Sequence, residues 1–144
     1  KGLALDTSGH VEAGGCVVIY PAGAVSTSPD RWGHTPAVDG PWSPFAARLV
    51  KQGRASVAPV YFPGQNSRLF QAASHFSYPL RVALIFHETR RRMGQPIDMQ
   101  IGEPIPAEAL LNLPRDAVAP YLRRCTMALG DWGDECYHWP RHLT

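Results

Sequence analysis

Two short apolar runs constrain the fold class more than anything else in the chain. Cys16-Val-Val-Ile-Tyr20 carries no charge and is rich in β-branched side chains, with Gly14-Gly15 before it and Pro21 after it. Val57-Ala-Pro-Val-Tyr-Phe62 is built alike and ends at Pro63-Gly64. Runs this short, apolar on both faces and bounded by turn residues, read as buried strands of a parallel or mixed sheet. Inside such a strand Cys16 is expected to be a small buried hydrophobe. Helical patterns alternate with these runs. Residues 3–13 form a short helix closed by Gly14-Gly15. Ser43-Pro44 opens a helix over Phe45, Ala46, Leu49 and Val50, which ends at Gly53. Asn66 or Ser67 caps another, with Leu69, Phe70, Ala73 and Phe76. Pro79 opens a fourth, with Leu80, Ala83, Leu84 and His87 on one side. Residues 96–101 read as a third strand, 106–111 as a short helix and 116–129 as a longer one. The order α-β-α-β-α-α-β-α predicts an α/β fold, a layered mixed sheet flanked by helices. It is read as one domain over 1–144, with a core over 3–111 and a C-terminal helix and tail over 112–144.

Charge and composition exclude several function classes. Fourteen Lys and Arg stand against twelve Asp and Glu, a net charge of +2. Duplex binders usually show a strong basic excess, so nucleic acid is not the expected partner. Charged residues are 18% of the chain, enough apolar content remains for a core, and disorder is not expected. No apolar run approaches the roughly 20 residues that span a bilayer. Three scattered cysteines (Cys16, Cys125, Cys136) do not make a disulfide framework, which fits a reducing compartment.

The turns after the two apolar runs are the candidate binding elements. Tyr20-Pro-Ala-Gly-Ala-Val-Ser26 follows the first run directly. In open α/β sheets ligands bind beyond the carboxyl ends of strands. A Pro-x-Gly turn exposes backbone N–H groups and Ser26 adds a hydroxyl, a combination suited to an oxygen-rich head group. The plainer reading is an ordinary tight turn. After the second run, Gln65, Asn66, Ser67 and Arg68 collect polar groups at a helix N-terminus, a natural anion site. The plainer reading here is helix capping by Asn66 or Ser67. The binding reading requires both bends to converge on one pocket.

These blocks carry a resemblance. Tyr20-Pro-Ala-Gly-Ala-Val-Ser26 is similar to the Phe-Pro-x-Gly block of the glycerolipid (lysophospholipid) acyltransferase superfamily, and Val57–Phe62 resembles its last block. Gly64-Gln-Asn-Ser-Arg-Leu-Phe70, Arg90-Arg-Arg92 and Ile101-Gly-Glu-Pro-Ile105 resemble the bacterial branch of lyso-ornithine-lipid acyltransferases and hemolysin-like proteins. The resemblance covers roughly residues 3–110 and implies a C-terminal portion of that fold. It implies transfer of a fatty acyl group from an acyl-carrier-protein or coenzyme A thioester to a lysolipid hydroxyl, with no other cofactor. Tyr20, Pro21, Ala22, Gly23, Ser26, Gln65, Asn66, Ser67 and Arg68 would hold the acceptor. It further implies a cytoplasmic protein, peripheral on the inner membrane. The family's base is a His-x-x-x-x-Asp pair well upstream of the Pro-x-Gly block, and the residues before Tyr20 do not contain it. The chain alone is therefore expected to be inactive, with its missing N-terminal half or a second copy covering an extended apolar surface.

Other features have weaker readings. His34-Thr-Pro-Ala-Val-Asp39 matches His-x-x-x-x-Asp by letter but lies after the Pro-x-Gly block, in a loop; His34 and Asp39 are read as a decoy. Relatives that take phosphate-bearing acceptors carry Glu and Arg where this chain has Ala22 and Val25. Either Arg68 or another arginine replaces that cation, or the acceptor lacks a phosphate monoester. Phe76, Tyr78, Leu80, Val82, Ile85 and Phe86, followed by Arg90-Arg-Arg92, read either as a surface for an anionic membrane or as a core helix with a solvated basic turn. Cys125, Cys136, His138 and His142 lack zinc-site spacing, and no metal is expected. A catalytically silent lipid- or protein-binding module is the second reading of the chain. A hydrolase using Ser26 or Ser67 comes last, since no Gly-x-Ser-x-Gly elbow occurs.

Overall fold

The computed structural model describes residues 2–130. In chain order the elements are α1 (Gly2–Glu12), α2 (Pro44–Gly53), β1 (Val60–Tyr61), α3 (Arg68–Phe76), α4 (Tyr78–Arg92), β2 (Gln100–Ile101), α5 (Ala107–Leu111) and α6 (Arg115–Met127). Helices with a small sheet make a mixed α/β chain. Its contacts divide into two units. Among the described residues, the first holds 2–23, 41–62 and 99–130, and the second holds 24–40 and 63–98.

In the first unit the core forms where α2, α5 and α6 meet. Ala47, Val50, Leu110, Val118, Ala119 and Leu122 are buried there, and Trp42, Val57, Ile105, Leu113 and Tyr121 pack against them. The start of α2 follows from its sequence. Ser43 is the N-cap, its hydroxyl accepting from Phe45 N–H at 3.2 Å, and Pro44 takes the first turn, where no N–H is needed. Arg54, left-handed at φ 45° with its N–H donating to Val50 O, ends α2, and Gly53 before it is small for a packing reason: a Cβ there would stand 2.9 Å from Val11 Cγ1. Phe45, expected on the apolar side, is 37% exposed, while Ala46, Leu49 and Val50 are buried.

Lys51 ties α2 to α5. Its Nζ donates to Leu111 O, the last carbonyl of α5, at 3.0 Å and to Leu113 O, just beyond that helix, at 2.6 Å. A cation at that end also meets the helix dipole favourably. Lys51→Met keeps the aliphatic stem and removes both donors. It is expected to lower stability by about 1.5–3 kcal/mol, the usual worth of hydrogen bonds to a charged group, read as a drop in the urea midpoint. Lys51→Arg should recover part of the loss.

The sheet departs from the expected one. Val60 pairs with Ile101 and Tyr61 with Gln100, so the ribbon is antiparallel and two residues long on each side. An isolated bridge, Val57 to Ile105, extends the alignment. Of the third strand expected over 96–101, only Gln100–Ile101 forms. Gly102 follows it against Pro59, whose Cγ a Cβ there would meet at 2.9 Å.

Cys16–Tyr20 is not a strand. It is irregular, its residues alternate between half-buried and exposed, and Cys16, Val18 and Tyr20 face solvent. The burial expected of Cys16 is thereby corrected. The physical reason is pairing: Val17, Val18 and Ile19 make no backbone hydrogen bond with any other described residue. A strand is defined by its ladder, and composition alone supplies none.

The second unit packs loop 24–40 against α3 and α4. Ser67 caps α3, its Oγ accepting from Phe70 N–H at 3.3 Å. Ser77 caps α4, and Pro79 lies in its first turn. On α3, Phe70 and Ala73 are buried while Leu69 and Phe76 are exposed. The long polar loop has its own scaffold. Asp30 accepts from the N–H groups of Trp32 (3.0 Å), His34 (2.6 Å) and Thr35 (3.4 Å). These donors, Trp32's foremost, hold its carboxyl below the ordinary range against a smaller effect of desolvation. Ser28 is the buried anchor: its N–H donates to Gln71 Oε1 at 2.8 Å, its Oγ to Thr35 O at 2.6 Å, and its carbonyl lies 2.9 Å from His75 Nε2. Gly33 has φ +66° and leans on Gln71, whose Cβ a side chain at 33 would meet at 3.0 Å.

Candidate functional site

The site residues fall into two groups. Tyr20, Pro21, Ala22 and Gly23 belong to the first unit; Ser26, Gln65, Asn66, Ser67 and Arg68 belong to the second.

The first group is a tight turn. Gly23 N–H donates to Tyr20 O at 3.1 Å, and Gly23 adopts φ +64°, a conformation glycine takes at little cost. Pro21 O accepts from Ser43 N–H at 2.9 Å, which ties the turn to the start of α2. Tyr20 is 76% exposed.

The second group sits at the start of α3 and is held by α4. Gln65 is committed on three sides. Its Oε1 accepts from Ala37 N–H at 2.6 Å, its Nε2 donates to Gly33 O at 3.4 Å, and its carbonyl accepts from Arg92 Nη2 at 2.8 Å. Gln65 thus positions the 24–40 loop. Ser67 is the helix cap, and the same residue donates twice to Glu88, from Oγ to Oε1 and from N–H to Oε2 at 3.2 Å. A carboxylate therefore already occupies the start of α3, and it is the protein's own. Burial pushes the Glu88 carboxyl up and is the largest single influence. The Ser67 hydrogen bonds, with the charges of Arg91 and His87, outweigh it and leave the group below its ordinary value. Asn66 and Arg68 remain. Neither side chain makes a hydrogen bond or ion pair with another described residue, and the Arg68 side chain is exposed at the N-terminus of α3. Ser26 is engaged elsewhere, donating from Oγ to Asp39 Oδ1 at 3.0 Å.

The His-x-x-x-x-Asp match is not built as a base with its orienting acid. His34 Nδ1 faces Asp30 Oδ2 at 3.4 Å, with the imidazole 63% exposed, and Asp39 accepts from Ser26. Cys125 lies in α6 beside Tyr121, whose phenol it pushes above the ordinary range. Cys136, His138 and His142 lie outside the described residues. No helix among the described residues is long and apolar enough to cross a membrane.

Glu88 is the functional-site neighbour that motif reading missed. It is the only acidic residue from 40 to 97, in a stretch with many arginines. A lone acid on a basic helix was the available signal. The structure also joins sequence blocks in pairs. Val57–Phe62 meets Ile101–Ile105 through the β1–β2 ribbon, and the 64–70 block meets Arg90–Arg92 through Arg92 and the neighbouring Glu88. The chain matches no protein-family model, no curated protein and no solved structure.

Proposed function

We propose that this chain is the acceptor-side portion of a glycerolipid-type acyltransferase, taking a fatty acyl group from an acyl-carrier-protein or coenzyme A thioester to a lysolipid hydroxyl. The observation that supports this reading is the pairing of blocks: four of the five segments that resemble the family are joined two by two, each pair inside one unit. The apolar Cys16–Ile19 segment makes no backbone hydrogen bond among the described residues and would pair as a strand in a larger layered mixed sheet within one domain.

In this reading the base is a His-x-x-x-x-Asp pair from outside residues 1–144. The imidazole takes the proton of the acceptor hydroxyl, the oxygen attacks the thioester carbonyl, and the thiolate leaves with the proton. Residues of this chain bind and orient. Asn66 and the Arg68 guanidinium meet the polar head, and the Ala22–Gly23 turn offers backbone groups. Ala22 and Val25 stand at the places of the clamp residues, and the missing clamp favours an acceptor without a phosphate monoester. The enzyme would work at the cytoplasmic face of the inner membrane.

The test is acyl transfer by the full-length protein, with lyso-ornithine lipid and lysophosphatidate offered in parallel and both thioesters as donors. Turnover on lyso-ornithine lipid, lost when residues 1–144 are supplied alone, is the expected result. Turnover on lysophosphatidate only would overturn the acceptor assignment. Vesicle binding without transfer by the full-length protein would leave the silent-module reading in its place. Arg68→Ala should lower kcat/KM about 10- to 100-fold, the loss of one charge-assisted hydrogen bond, and leave the unfolding midpoint unchanged.

A further inference from the structure

The first candidate turn has no charge of its own. Residues 13–29 contain no Lys, Arg, Asp or Glu, so an anionic head group would find no counter-ion in that segment. The structure brings one from 56 positions away. Arg81, in the first turn of α4, donates from Nη2 to Val25 O at 2.8 Å. Its guanidinium carbon lies 5.7 Å from the centre of the Phe70 ring, and Phe70 is fully buried. Val25, Ser26, Phe70 and Arg81 all belong to the second unit. A locked ring on one face and a carbonyl at one edge hold the guanidinium in place, so little side-chain freedom is left to lose on binding. Among the described residues the Arg81 side chain makes no ion pair and no other hydrogen bond. Most of the five N–H donors of a guanidinium therefore stay uncommitted. The Ser26 hydroxyl, beside Val25, is already given to Asp39.

We infer that Arg81 binds a carboxylate on the head group of the acceptor lipid and selects acceptors that carry one. The inference rests on the reading above and names a specificity residue for it. A carboxylate is planar and carries one charge, so it fits the fork of a single guanidinium through two parallel hydrogen bonds. A phosphate monoester carries between one and two charges at neutral pH and calls for more than one cation. Arg81 is the one Lys or Arg side chain that hydrogen-bonds to residues 24–29 among the described residues. A plain tie between α4 and the loop would use the same bond to Val25. Such a tie predicts equal losses for every acceptor when Arg81 is replaced. Recognition predicts a loss confined to acceptors that carry the carboxylate.

The deciding measurement is equilibrium binding of lyso-ornithine lipid and of its carboxyl methyl ester to the full-length protein, with acyl transfer to both followed in parallel. The wild type should bind the carboxylate about 10- to 100-fold more tightly than the ester, the usual worth of a hydrogen-bonded charge. Arg81→Met keeps an aliphatic stem over Phe70 and should bind both lipids with the weaker affinity of the ester. Arg81→Lys should recover part of the preference, because an ammonium keeps the charge without the fork; it also serves where Arg81→Met does not fold. A preference for the carboxylate that survives Arg81→Met would overturn the inference. So would a wild type that binds acid and ester alike, or neither. Binding of lysophosphatidate that depends on Arg81, with no preference between acid and ester, would also overturn it and assign the cation to a phosphate. The two ideas fail separately. Absence of transfer with the Arg81-dependent preference intact counts against the acyltransferase reading alone, and transfer without that preference counts against Arg81 alone.

Discussion

Phe70→Ala should remove about 3–5 kcal/mol from the second unit, the usual cost of deleting a buried aromatic side chain. Phe70 is fully buried and, among the described residues, is the only large apolar side chain buried in that unit. Its ring also carries the Arg81 guanidinium at 5.7 Å, a contact the truncation removes together with the packing. A unit this small has little core in reserve. The loss should therefore appear as local opening, with amides of α3 and α4 exchanging much faster and those of α2 and α6 serving as the reference. Phe70→Leu keeps most of the volume and should cost under about 1.5 kcal/mol. Unchanged protection of α3 in Phe70→Ala would mean that something other than this ring holds the unit.

The helices were legible because their signals are local. Ser43 with Pro44, Ser67 before Arg68 and Ser77 with Pro79 each combine an N-cap oxygen with a compatible first turn, and α2, α3 and α4 begin there. The strands were less legible because a strand needs a partner that its own residues do not specify. Val57–Phe62 found one in residues 100–105, giving a short antiparallel ribbon rather than a buried parallel strand. Cys16–Tyr20, the more strand-like of the two by composition, found none among the described residues. On α4 the pattern showed which residues are apolar but not what covers them, so a core helix and a surface helix looked alike. At the site, the capping role of Ser67 could be read from its place before a helix. Its partner Glu88 lies 21 positions away on another helix, beyond the reach of any local motif.

That partner supports the second large effect. Glu88→Gln is expected to destabilise the second unit by about 1.5–3 kcal/mol at neutral pH, since a charged acceptor of two Ser67 hydrogen bonds becomes a neutral one. Glu88→Leu should cost more, because it leaves the Ser67 hydroxyl and N–H facing an apolar group. The sign of the pH dependence follows from the carboxyl's lowered pKa. A group ionising more readily when folded than when unfolded adds stability above its unfolded value, here the ordinary 4.5, and that stability fades as the pH falls through the folded value. Acid loosening of the second unit should therefore start near pH 4.5 and deepen below it, read as exchange of α3 amides across a pH series. Asp30, lowered from 3.8 by its backbone donors, acts in the same direction at somewhat lower pH, so Asp30→Asn is the control that isolates Glu88. In Glu88→Gln the upper part of the acid transition should flatten, because no proton is taken up at that position. A transition unaltered by Glu88→Gln but removed by Asp30→Asn would transfer the acid sensitivity to the 24–40 loop. The Ser67–Glu88 contact would then be a neutral tether between α3 and α4.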